Sequence, residues 1–305
     1  MDRIYFAMPG SDTMADLLAM HTGASRGRLE RHRYPDGEAK IQVAPLPAES
    51  EAVLVASLED PDGKVMSLLL AAAALRDNGA RSVGLVAPYM PYMGQDQREQ
   101  PGETIGGQVF GRVMDETFDW IVTVQPHLHH FRYLSDAYLS RAIAVNGASA
   151  LAAWIRANTW RPLIIGPDEG STTLSRDVAA ILKAPFLVGA KRYEGNHPVD
   201  VDLFQLPDWR CHTPVIVDAI LSTGQTMLAV MECARHAGLP PAVCVAVHGL
   251  CGDKAVRALF RQGCAAVVTT NTISGVTALI DASEDIALSL PKLKGAERPA
   301  NAVAA

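Results

Sequence analysis

Apolar runs of strand length recur along this chain and alternate with stretches of helical period, and no other feature narrows the accessible folds so far. Residues 53–58, 82–87 and 120–124 read as strands, and 64–77 and 104–114 repeat apolar residues at helix spacing. Strands joined through helices pair in parallel, because each crossover carries the chain back across the sheet. The rhythm then restarts, with strands at 163–166, 186–190, 215–217, 243–247 and 266–269 and helices at 171–182, 226–236 and 254–262. The expectation is an α/β fold of two similar domains, each a mainly parallel sheet flanked by helices. Asn146 and Gly147 interrupt the pattern, which places the domains at 1–146 and 147–290. The residues from 291 to 305 are polar and then Ala-rich, without an apolar face, and read as a flexible tail.

Composition removes several classes of function. With 49% hydrophobic and 20% charged residues the 305-residue chain can bury large cores, so a disordered binder is excluded. The net charge of -6 argues against a nucleic-acid backbone as partner. The first ten residues hold no basic leader followed by an apolar run, and the apolar stretch 65–75 is too short to span a bilayer, so neither export nor a membrane span is expected. Five cysteines without a CxxC pair point to reduced thiols and a cytoplasmic protein.

The most informative segment runs from Val215 to Thr226, an apolar run followed by Asp218, the Ser222-Thr223-Gly224-Gln225-Thr226 stretch and a helix. Such a loop aims backbone N–H groups at one point, and the helix N-terminus adds positive potential for a phosphate. Asp218, at the expected strand end, is placed to accept from sugar hydroxyls. The same pattern also fits an ordinary turn in which a hydroxyl caps the helix. In Gly166-Pro167-Asp168-Glu169, the carboxylates suit either Mg²⁺ beside nucleotide phosphates or an N-cap. His127, His129 and His130 follow the strand 120–124; zinc is disfavoured because the sequence marks no third ligand, while His127 remains a metal or phosphate contact. Pro88 to Arg98, with Gln95, follows another strand and offers aromatic and amide groups to a purine. Tyr34-Pro35-Asp36-Gly37-Glu38 demands a turn. Lys191 and Arg192 precede a polar loop, where cations can close over a polyphosphate.

In this order the segments resemble the ribose-phosphate pyrophosphokinase family, over nearly the whole chain from Tyr34 to about Ile273. Its most specific pieces are Tyr34 to Glu38, Pro88 to Tyr92, Gly166 to Asp168 and Asp218 to Thr226, the last of which also resembles the loop of type I phosphoribosyltransferases. The resemblance implies two phosphoribosyltransferase-type domains that transfer the diphosphoryl group of ATP to C1 of ribose 5-phosphate with Mg²⁺. It implies that Ser222, Thr223, Gly224, Gln225 and Thr226 bind the 5-phosphate and Asp218 the ribose. His127 and Asp168 would stand on the metal side, and Lys191, with Arg192 beside it, would stabilise the transferring group. Tyr34, Asp36 and Glu38 would meet adenine from a neighbouring subunit of a homo-oligomer, with Gln95 and Arg98 also on the ATP side. The chain departs from the family pattern at Gly94, Tyr193 and Ala219, where the family has two arginines and an aspartate, and at Ser222 and Gln225. Arg98 and Arg192 lie near the vacant arginine positions. Two other functions stay open: a regulatory homologue binding nucleotide or sugar phosphate, favoured by those departures, and a phosphoribosyltransferase, disfavoured by the two-lobe length.

Overall fold

A computed structural model describes residues 2–128, 131, 133–137, 141–194, 197–202 and 206–290; for 141, 190–194 and 197–202 it describes the backbone alone. His129, His130, Gly195, Asn196 and the tail from 291 lie outside the described residues. The chain forms two units, which divide between Val145 and Asn146.

The first unit contains β1 (Arg3–Ala7), α1 (Asp12–Thr22), β2 (Ser25–Gly27), β3 (Leu29–Arg33), β4 (Ala39–Val43), β5 (Glu51–Val55), α2 (Val65–Asp77), β6 (Ser82–Val86), α3 (Gly106–Thr117), β7 (Trp120–Val124) and β8 (Arg141–Val145). Its six-stranded parallel sheet runs β2-β1-β5-β6-β7-β8, and β3 with β4 forms a separate antiparallel hairpin. Every residue of β5, β6 and β7 is buried, as it must be where helices cover both faces of a parallel sheet. Gly84, paired with Trp120 across the ladder, leaves room for the indole: a Cβ there would stand 2.1 Å from the ring.

The second unit contains α4 (Ala148–Asn158), β9 (Pro162–Gly166), α5 (Thr172–Leu182), β10 (Phe186–Val188), β11 (Ala190–Glu194), β12 (His197–Asp202), β13 (Thr213–Leu221), α6 (Gln225–His236), β14 (Val243–Gly249), α7 (Asp253–Arg261), β15 (Ala266–Thr270) and β16 (Ala278–Ile280). Its sheet runs β10-β9-β13-β14-β15-β16, the same order as the first, again with an antiparallel hairpin, β11 with β12, inserted before the third strand. The two-domain α/β expectation is met, and the repetition extends to strand order and hairpin.

Three local expectations are corrected. The last helix, α8 (Ser283–Ser289), belongs to the first unit and not to a lobe reaching residue 290: His21 Nε2 lies 3.1 Å from Ser283 Oγ, and Ile286 is buried where α8 packs on α1, β7 and β8. The strand read as 186–190 is two: pairing with β9 ends where the Gly189 N–H bonds the Gly166 carbonyl at 2.8 Å, and from Ala190 the chain pairs with β12 instead, so Lys191 and Arg192 lie on a paired strand, not on a loop. The strand read as 215–217 continues to Leu221, drawn on by pairing with β14 as far as Gly249, so Asp218 lies within it. Among the described residues no helix is long and apolar enough to cross a membrane.

Candidate functional site

In each sheet the first strand lies between the second and the third, so the connections leaving it and its neighbour diverge and open a crevice beyond their carboxyl ends. In the second unit this point falls between β9 and β13. The segments leaving it are Pro167–Ser171 and Ser222–Gly224, the two that the sequence marks for chemistry.

The β13–α6 loop is held open at the helix end. Gly224 is the N-cap at φ 77° and ψ 1°, a left-handed conformation natural only to glycine among common residues. No side chain caps α6; the Thr223 hydroxyl only accepts from the Gln225 N–H at 3.4 Å. First-turn amides without a side-chain cap, on a twelve-residue helix with no acid in its first turn, form a natural anion seat. Ser222, Thr223 and Gln225 are exposed and Thr226 is half-buried. The ordinary capped turn, the other reading of this sequence, is therefore not what forms.

The Asp168 loop behaves oppositely. Asp168 Oδ1 accepts from the Ser171 N–H at 3.2 Å while the Ser171 hydroxyl accepts from the Asp168 N–H at 3.2 Å, a reciprocal cap. The half-buried carboxylate thus has one oxygen tied to its own turn. Ser175, which the sequence reading missed, ties α5 to β13: its hydroxyl donates to the Val217 carbonyl at 3.3 Å. Gly166 makes that contact possible, since a Cβ there would stand 2.8 Å from Ser171 Oγ and 2.9 Å from Ser175 Oγ. Asp218, half-buried on β13, accepts from the Ala219 N–H at 2.7 Å.

Lys191 and Arg192 lie on β11 of the second unit, and the remaining candidates belong to the first. Tyr34 to Glu38 form the tip of the β3–β4 hairpin, closed by Tyr34 N–H to Glu38 O at 2.8 Å and Glu38 N–H to Asp36 Oδ1 at 3.0 Å, with Gly37 at φ 94°. Tyr34, Asp36 and Glu38 are all exposed there, and Tyr34 meets His32 edge-on at 4.7 Å. In the loop after β6, exposed Gln95 lies over the start of α3, where a Cβ on Gly106 would come within 2.3 Å of its Oε1. Arg98 is also exposed and its Nε donates to the Glu103 carbonyl at 3.0 Å. His127, half-buried, follows β7. His127 and Asp168, the two metal candidates, stand in different units.

Backbone strain marks the same edge of the first sheet. Asp60, Tyr92 and Gln125, beyond the carboxyl ends of β5, β6 and β7, have φ of 52°, 63° and 38°; each such residue costs about 1–3 kcal/mol and is retained where the surroundings demand it. The Tyr92 hydroxyl donates to Asp62 at 2.6 Å, which holds its phenol above its ordinary pKa. The crevice between β1 and β5, however, is laced shut by its own residues. Ser11 Oγ accepts from the Ser57 N–H at 3.1 Å, and Lys64 at the start of α2 binds Glu59 and the Ser57 carbonyl. A cavity of about 320 Å³ lies at the opposite end of this sheet, by Arg3, Glu51 and Gly23, away from every candidate residue. Among the described residues no three His, Cys, Asp or Glu side chains converge as a metal site.

Residues 4–117 match the family model described as the N-terminal domain of ribose phosphate pyrophosphokinase, and residues 135–284 match that of the phosphoribosyl transferase domain. A ribose-phosphate pyrophosphokinase of Halobacterium salinarum is 31% identical over 287 residues, which is 92% of this chain and 98% of the relative. One from Methanopyrus kandleri is 28% identical over 290 residues, 91% and 95% of the two chains. The crystal structure of phosphoribosylpyrophosphate synthetase from Mycobacterium smegmatis is similar with a TM-score of 0.81 at 18% identity, over 96% of this chain and 99% of that one, a likeness of fold.

Proposed function

Because the chain belongs to the ribose-phosphate pyrophosphokinase family, we propose that it is an enzyme transferring the β,γ-diphosphoryl group of ATP to the C1 hydroxyl of ribose 5-phosphate. The C1 oxygen attacks Pβ, the bond from Pβ to the α-bridging oxygen breaks, and AMP leaves with that oxygen while phosphoribosyl pyrophosphate forms. The observation that carries the reading is the α6 N-terminus without a side-chain cap, beside Gly224 at a topological switch point.

In this reading the amides of Gln225 and Thr226 and the hydroxyls of Ser222 and Thr223 hold the 5-phosphate, and Asp218 orients the ribose diol. In the corresponding loops of the first unit Ser11 Oγ accepts from the Ser57 N–H and Lys64 binds Glu59, although α2 also begins without a side-chain cap. Asp168, a hard oxygen donor with one atom tied by Ser171, suits Mg²⁺ that keeps waters and substrate phosphates among its ligands; His127 is the second residue assigned to the metal side. Mg²⁺ held there would supply positive charge to offset that of the phosphates. Lys191, with Arg192, offsets charge on the transferring group, and Gln95, Arg98, Tyr34, Asp36 and Glu38 serve ATP, the hairpin tip within a homo-oligomer. Free thiols among the cysteines fit work in the cytosol.

A second reading, a regulatory homologue that binds without turning over, draws on one observation: Arg98, nearest the position where Gly94 replaces an arginine, is turned to the Glu103 carbonyl. Incubation with ATP, Mg²⁺ and ribose 5-phosphate separates the two. AMP and phosphoribosyl pyrophosphate in equal amounts support the enzyme; ribose 5-phosphate binding without product selects the regulatory homologue, and absence of binding overturns the site itself.

A further inference from the structure

Away from the candidate site, two sulfurs face each other in the core of the second unit. Cys244, on β14, is fully buried; Cys264, in the turn between α7 and β15, is 7% exposed; their Sγ atoms are 3.5 Å apart. Cys244 Sγ also lies 3.8 Å from Met231 Sδ, and the Cys264 thiol reaches the carbonyl oxygens of Ala242 at 3.3 Å and Ala266 at 3.0 Å. Buried cysteines commonly serve as small apolar fillers. Here, however, a cavity of about 190 Å³ is lined by Met231, Ala234, Leu239, Ala242 and Gly263. Met231 and Ala242 touch the two thiols and Gly263 precedes one of them, so the cavity, large enough to hold a small peroxide, is separated from the sulfur pair by the residues that border it.

We propose that Cys264 and Cys244 form a peroxide-reactive dithiol that closes to an intrachain disulfide. The Cys264 sulfur attacks one oxygen of hydrogen peroxide; the O–O bond breaks, the departing hydroxide takes a proton to become water, and Cys264 becomes a sulfenic acid. The Cys244 sulfur then attacks that sulfur, the S–O bond breaks, and the departing hydroxide carries away the Cys244 proton as a second water. Two electrons pass from the thiols to the peroxide. A disulfide needs about 2.05 Å between sulfurs. From 3.5 Å the two sulfurs must still close to reach that length, and Cys264 lies outside the strands, in the α7–β15 turn after Gly263. The order of attack follows from exposure: Cys264 is 7% exposed and Cys244 fully buried, and the hydrogen bond with Cys264 together with burial pushes the Cys244 thiol well above its usual value, away from the thiolate that is the nucleophile.

The proposal is independent of the proposed reaction and is tested on the full chain. The folded protein is treated with hydrogen peroxide, quenched, denatured and alkylated, and its mass and peptides are measured. Two of the five thiols should escape alkylation, the mass before alkylation should fall by two hydrogens, and one linked peptide should join Cys244 to Cys264. In Cys244→Ala a sulfenic-acid reagent should label Cys264, and Cys264→Ser should leave Cys244 unreacted. Five alkylated thiols after treatment, or a disulfide through exposed Cys211 instead, overturns the proposal on the unmodified chain, whether or not the variants fold.

Discussion

Substituting alanine for Gly224 isolates a backbone effect from a steric one. At φ 77° an L-residue is strained, yet the new Cβ would lie no nearer than 3.5 Å to any atom, the closest being Leu259 Cδ1, an ordinary contact. The cost is therefore conformational, about 1–2 kcal/mol for an L-residue in the left-handed region, or a factor of roughly 5–30 in an equilibrium constant. If the loop keeps its shape, that cost appears as lost stability in denaturant titration. If it relaxes, the Gln225 and Thr226 amides swing away and it appears as weaker ribose 5-phosphate binding in calorimetry. The two losses together should come to about 1–2 kcal/mol. Asparagine tolerates this conformation better than other side chains, so Gly224→Asn should recover most of the loss. Stability and affinity both unchanged in Gly224→Ala, or asparagine as damaging as alanine, would refute the reasoning.

Gly84→Ala should destabilise the first unit by overpacking, about 1–3 kcal/mol, because its Cβ would meet the fully buried Trp120 ring at 2.1 Å; an unchanged urea midpoint would count against that packing. Lys191→Ala should lower turnover by roughly 10³ with ribose 5-phosphate affinity intact, as loss of one transition-state cation does in phosphoryl transfer; a change in affinity alone would make it a binding residue. Chelation with EDTA should abolish product formation and added Mg²⁺ restore it, and turnover that persists in EDTA would remove the metal from the reaction.

The central strands were legible because they are buried on both faces and their apolar runs are unbroken: β7 occupies the residues read from the sequence, 120–124. The hairpin strands β3 and β4 were not, since Leu-Glu-Arg-His-Arg buries no face and leaves no period; only the Pro-Asp-Gly turn between them announced itself. Asp218 ended the apolar run and with it the apparent strand, while the continuation to Leu221 is imposed by β14, a neighbour distant in sequence. For the Asp168 turn the sequence left cap and ligand open, and the geometry adds the cap with Ser171. Ser175 gave no signal because its partner is a carbonyl 42 residues further along the chain, on β13. The Cys244–Cys264 pair is likewise a product of strand adjacency that no spacing rule reveals.

The assignment of α8 to the first unit has a consequence for how the protein is made. The ribosome delivers the chain from the N-terminus at about 5–20 residues per second, so residues 1–145 emerge early yet wait for Ser283–Ser289 before α1, β7 and β8 receive their covering helix. The second unit, 146–282, is fully synthesised before then. The half that begins first is therefore completed last, and a message cut short just before Ser283 would encode an intact second unit beside a first unit with an uncovered face.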